Sequence, residues 1–177
     1  MTAAMSQSSP QPEIQTHAKW CPPDSVAAAL RPAIWPWLTE TGSLTNRLQS
    51  EFGQAVEVER LSEANDGDGA LRREVRLHVG GRPLVYAVSH IPAAMLDSLD
   101  WMTSLGDQPL GTRLFSQGQT RREDLRVARL EADDPLAERA RQGLENGAPV
   151  LWARRSRLLV GNQAMVVVEC FLQGESE

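Results

Sequence analysis

LRREVRLHVGGRPLVYAVSHI, residues 71–91, reads as two strands and the reversal between them. Side chains alternate across a strand, so Leu71, Arg73, Val75, Leu77 and Val79 point one way, and Arg72, Glu74, Arg76 and His78 the other. Gly80-Gly81-Arg82-Pro83 supplies the backbone freedom of a tight turn, and Leu84 to Ile91 returns as the partner strand. A period of two held over this length predicts an antiparallel sheet rather than an amphipathic helix.

Working outward, Gln54 to Leu61 alternates as a further strand, followed by a polar turn from Glu63 to Gly69. Pro92 opens a helix reaching about Ser104, and a second short helix starts near Asp107 with Pro109 in its first turn. Asp124 to Leu130 reads as a strand and Pro135 to Leu144 as a charged helix. Val150 to Val160 and Ala164 to Leu172 form a hairpin turning at Gly161-Asn162. Upstream, Pro22 to Leu38 carries Trp35 and Trp37 on short helices. Ser43 is an N-cap for a helix from Leu44 to Phe52, ended by Gly53. About six strands joined mostly as antiparallel neighbours, with helices packed on them, predict an α+β domain.

A chain of 177 residues supports one core, placed at residues 19–177, and the Ser-, Gln- and Pro-rich residues 1–18 read as a disordered tail. The formal charge of −5 argues against a general nucleic-acid binder, which needs a basic face to displace counterions. No run approaches the roughly 20 apolar residues of a membrane span. The start lacks the basic-then-apolar pattern of a secretory signal. Cys21 and Cys170 have no metal-ligand spacing, so free thiols in a reducing cytoplasm are expected. His17, His78 and His90 share no spacing suited to a metal, and Ser89-His90 lacks a nucleophile turn.

Two charges interrupt the apolar pattern. Arg73 falls among core-facing residues, and Glu169 lies within Met165-Val-Val-Val-Glu-Cys-Phe171, where both faces are apolar. An unpaired buried charge costs several kcal/mol, so each needs a partner. Either the two form a structural ion pair, or both line a pocket for a polar ligand. Arg154, Arg155 and Arg157 make the densest basic cluster, with Arg154 on the face opposite the other two. The cluster is either a charged surface paired with the acidic helix around Glu138 or a contact for a second ligand carboxylate.

In order and spacing, GSLTNRL (42–48), LRREVRL (71–77), QPLGTRLF (108–115), WARRSRLLV (152–160) and VVECFL (167–172) closely resemble the chorismate lyase family. The resemblance implies a six-stranded antiparallel sheet with an enclosed ligand. It further implies an elimination that splits chorismate into 4-hydroxybenzoate and pyruvate with no metal or cofactor, towards ubiquinone. Chorismate and its product are then the binding partners, and the protein is expected to be a monomer. In that family an arginine like Arg73 binds the ligand carboxylate and a glutamate like Glu169 contacts the ring hydroxyl. Main-chain groups at positions matching Leu44 and Leu110 complete the site; Leu44 stands where some members have methionine. Leu44 follows an N-cap and Leu110 follows Pro109, so both amides belong to helix starts, whose free N–H groups attract anions. A non-catalytic effector-binding module of the same fold is the alternative.

Overall fold

Each alternating run becomes a strand. The structure, a computed structural model, describes residues 14–173. Its strands are β1 (Val56–Asn65), β2 (Leu71–Val79), β3 (Arg82–Ile91), β4 (Thr120–Leu130), β5 (Leu151–Val160) and β6 (Gln163–Phe171). They form one antiparallel sheet in the order β1-β2-β3-β6-β5-β4. Two meanders, β1-β2-β3 and β4-β5-β6, meet along β3 and β6, where Ala87 faces Glu169 and Val85 faces Phe171.

The quoted stretch folds as read, with one adjustment. Gly80 (φ 56°) and Gly81 (φ 75°) alone make the reversal, both in the left-handed region that a two-residue hairpin loop demands. Arg82 and Pro83 already belong to β3. Pro83 sits opposite His78, where the register shifts and a missing N–H is tolerated. β1 continues past Leu61 to Asn65, so the turn shrinks to residues 66–69, closed by Asp66 N–H donating to the Ala70 carbonyl at 2.9 Å. β4 begins at Thr120 rather than Asp124. Its charged opening, Arg121-Arg-Glu-Asp124, hides the alternation, and a bulge with Asp124 at φ 49° breaks the period between Glu123 and Arg126.

Among the described residues five α-helices cover the sheet: α1 (Trp35–Leu38), α2 (Leu44–Phe52), α3 (Ala93–Ser98), α4 (Leu110–Ser116) and α5 (Pro135–Arg141). The helix expected from Pro92 to Ser104 is two pieces, α3 and a single turn at Asp100–Met102, and Pro109 caps α4 from outside. Ser43 Oγ accepts from Asn46 N–H at 3.2 Å, a cap that contributes about 1 kcal/mol, and Gly53 ends α2 at φ 61°.

Both faces of the sheet are covered. On one, Leu136, Ala137 and Ala140 of α5 pack on Tyr86, Val88, Val168 and Cys170. On the other lie two clusters, one around Leu44, Leu48, Leu77 and Val85, the other around Met95, Leu114, Leu158 and Val167. The even-numbered side of β2 is therefore interior: Glu74 and Arg76 are buried, Glu74 accepting from Tyr86 Oη at 2.7 Å and Arg139 Nε at 2.9 Å. Residues 1–13 lie outside the described residues. Residues 14–18, expected within the tail, meet the domain: Thr16 Oγ1 and His17 N–H each donate to Asp134 Oδ2 at 2.9 Å. Among the described residues no helix is long and apolar enough to cross a membrane.

Candidate active site

Helix α2 and the start of α4 roof a cavity whose floor is the odd-numbered face of β2 and the facing residues of β3, β5 and β6. Leu44, Arg73, Leu110, Phe115, Arg122 and Glu169 are among its walls. All four residues anticipated from sequence, Leu44, Arg73, Leu110 and Glu169, border this one space. Their strand positions explain the convergence: Arg73 faces Ser89 across β2 and β3, and Glu169 faces Ala87 across β3 and β6.

Arg73 and Glu169 are both buried, at 3% and 7% exposure, yet they do not pair with each other. Arg73 Nη1 donates to Glu63 Oε2 at 2.7 Å, and Nη2 donates to the Gly106 and Gln108 carbonyls at 2.6 and 3.5 Å. Three of the five guanidinium N–H groups are engaged and two remain for a ligand. The first N–H groups of α2 and α4, on Leu44 and Leu110, donate to no protein acceptor among the described residues. Gly111 sits beside the α2 start, where an added Cβ would lie 3.5 Å from Ser43 Oγ and 3.7 Å from Thr45 Oγ1.

Glu169 is held by two arginines that sequence reasoning left outside the site. Arg154, with no exposed surface, donates from Nε to Glu169 Oε2 at 2.5 Å and from Nη1 to the Trp37 and Glu40 carbonyls, each at 2.8 Å. Arg122, its side chain 3% exposed, reaches the same oxygen at 3.4 Å, and its Nη1 also donates to Ser156 Oγ. Burial pushes the Glu169 carboxyl up, but the charges of Arg154 and Arg122 and the Arg154 hydrogen bond outweigh it, holding the pKa below the ordinary carboxylate value. Glu169 is a carboxylate at neutral pH, able only to accept hydrogen bonds. For Arg122, burial dominates and lowers its pKa to about 10, Glu169 opposing this and Arg154 adding to it.

The remaining polar candidates lie elsewhere. Arg155 stacks over Trp20 at 5.3 Å instead of pairing with α5. His78 meets Glu59 at 2.9 Å and His90 meets Asp66 at 3.0 Å, both away from the cavity. Burial raises the Cys170 thiol well above its usual range, the Asp134 and Glu169 charges adding to it, so the group stays protonated and unreactive.

An antiparallel sheet whose cavity is lined by two buried guanidinium groups, one carboxylate and two helix starts defines an α+β protein with a charged internal site. The chain belongs to the chorismate lyase family, whose model matches residues 14–176. It is 36% identical to a protein of Azoarcus sp. (strain BH72) over 85% of this chain and 87% of the relative. It is 37% identical to one of Halorhodospira halophila over 89% and 95%, and 34% identical to one of Shewanella loihica over 87% of each. All three relatives carry the name "Probable chorismate pyruvate-lyase".

Proposed function

We propose that the protein is a cytoplasmic lyase that eliminates pyruvate from chorismate and releases 4-hydroxybenzoate. The observation that supports this most is the placing of Arg73 and Glu169, buried and each with its own counterion, on the walls of one cavity. Family membership favours turnover over the effector-module reading.

In this reading the ring carboxylate of chorismate meets the two free N–H groups of Arg73 and the Leu44 and Leu110 amides, a cradle of one charge and two helix starts. The para hydroxyl donates to Glu169. Turnover breaks the ether bond at C3 and removes the hydrogen at C4. The ring becomes aromatic, the ether oxygen becomes the ketone oxygen of pyruvate, and its methylene carbon takes up the hydrogen. Substrate atoms equal product atoms, so no co-reactant is consumed. Orientation and charge stabilisation are then the enzyme's main tasks. A carboxylate whose pKa is depressed and whose Oε2 already accepts from Arg154 is a poor base, so Glu169 positions the hydroxyl rather than removing the C4 proton.

The test is direct. Purified protein is mixed with chorismate, and both products are followed, with Arg73→Ala as control. A charge-assisted hydrogen bond contributes about 1.5–3 kcal/mol, so Arg73→Ala should bind 4-hydroxybenzoate about 10- to 100-fold more weakly. Binding of 4-hydroxybenzoate without turnover of chorismate would replace the lyase by an effector module.

A further inference from the structure

Three buried arginines of the sheet have a carboxylate directly opposite them on the neighbouring strand: Arg73 faces Glu63, Arg76 faces Glu59, and Arg154 faces Glu169. Each of these pairs is in salt-bridge contact, at 2.7, 3.1 and 2.5 Å. Arg122 breaks the pattern. Its cross-strand neighbour is Leu158; its Nη1 donates to Ser156 Oγ and, at 3.4 Å, to the same Glu169 oxygen that Arg154 already holds, and its Nη2 donates to the Gly42 carbonyl at 3.4 Å. Its buried Nε has no hydrogen-bond partner. Two guanidinium groups thus share one carboxylate, leaving a positive charge and a donor without a dedicated acceptor on the cavity wall. A buried donor left unmade costs about 1–3 kcal/mol, more when charged. Arg154 also carries a buried nitrogen without a partner, Nη2, but it is not part of the cavity lining and its Nη1 is spent on two carbonyls.

We propose that Arg122 binds the enolpyruvyl side chain of the substrate, gripping its carboxylate and stabilising the electron pair that the ether oxygen takes when the bond to C3 breaks. The inference rests on the lyase reading and supplies its missing half, the recognition of the second anionic group. If Glu169 holds the hydroxyl at C4, the ether at the adjacent carbon falls on the Glu169 side of the cavity, where Arg122 stands 3.4 Å from that carboxylate. Its lowered pKa, about 10, still leaves it charged at neutral pH.

Two inert ligands separate this role from a structural one: 4-hydroxybenzoate, which lacks the side chain, and a benzoate bearing a carboxyvinyl ether meta to its carboxylate, which keeps it. In Arg122→Gln the ether analogue should bind at least about 10-fold more weakly while 4-hydroxybenzoate stays within about threefold, and kcat for chorismate should fall about 100-fold, as for loss of an oxyanion donor. Arg122→Lys should keep part of the affinity for the ether analogue, and it carries the same comparison if the glutamine variant does not fold. Equal loss of both ligands would mean that Arg122 acts only by holding Glu169, and would overturn the proposal. A wild-type protein that binds neither ligand and converts no chorismate would overturn the lyase reading itself, a result distinct from any difference between variants.

Discussion

Replacing Arg154 by methionine removes the main counterion of Glu169 while keeping an apolar side chain of similar length. The change leaves Glu169 with Arg122 alone and strips the Trp37 and Glu40 carbonyls of a donor at 2.8 Å each. Breaking a buried pair by removing one partner costs about 3–5 kcal/mol, and because Arg122 remains the lower end, about 3 kcal/mol, is expected. For a domain of this length that corresponds to roughly 6–12 °C in Tm. The pH dependence carries the sign. In the wild type the folded pKa of Glu169 lies below its ordinary value of 4.5, so its stabilisation is complete above that value and is lost as pH falls through the folded pKa. In the variant, burial is the leading influence and lifts the folded pKa above the unfolded one, so the same group favours folding at low pH and opposes it at neutral pH. The difference between the two proteins should therefore be larger at pH 7 than at about pH 5. Urea unfolding followed by tryptophan fluorescence measures both values. A difference below about 1 kcal/mol at pH 7, or one equally large at the two pH values, would refute this account of how the carboxylate is held.

Two further outcomes follow from the site geometry. Ser43→Ala removes the acceptor for Asn46 N–H, so it should cost about 1 kcal/mol in thermal stability and weaken 4-hydroxybenzoate binding by loosening the Leu44 amide, which titration calorimetry would measure. If Glu169 positions the hydroxyl as proposed, the C4 hydrogen passes within the substrate. Turnover in deuterium oxide, with quenching faster than exchange, should then leave the pyruvate methyl group unlabelled, and a solvent deuterium there would restore a base to the mechanism.

The strand pattern was legible because period-two alternation survives wherever one face is more apolar than the other, as in β2 and β6. It failed at the opening of β4, where four charged residues and a bulge conceal the period, and Arg122 was overlooked there. Arg154 was within reach. The loop at Gly161-Asn162 pairs Val160 with Gln163, and counting six residues away from the turn along each strand arrives at Arg154 and Glu169. Alternation alone could not reveal that the even-numbered side of β2 is covered, since the partners of Glu74 and Arg76 include Tyr86, Arg139 and Glu59, all remote in sequence. Leu44 and Leu110 became candidates through caps and family resemblance, because a backbone amide leaves no mark on side-chain chemistry.

Net charge and site charge point in opposite directions here, and the sheet explains how both hold. The chain carries −5 overall, a global quantity screened over roughly 8 Å at physiological ionic strength. The cavity responds instead to charges a few ångströms apart in a medium that screens them poorly, and cross-strand pairing decides which of them are cancelled. Arg73 is matched by Glu63, which is itself 29% exposed in its side chain and so keeps much of its hydration, leaving the buried partner the stronger local field. Arg154 and Arg122 together outweigh Glu169. The interior wall is thus positive at both ends, with a hydrogen-bond acceptor set into one of them. A neutral ligand would leave those charges unanswered. A ring with a carboxylate at one end, and at the other a hydroxyl beside a second anionic group, answers both.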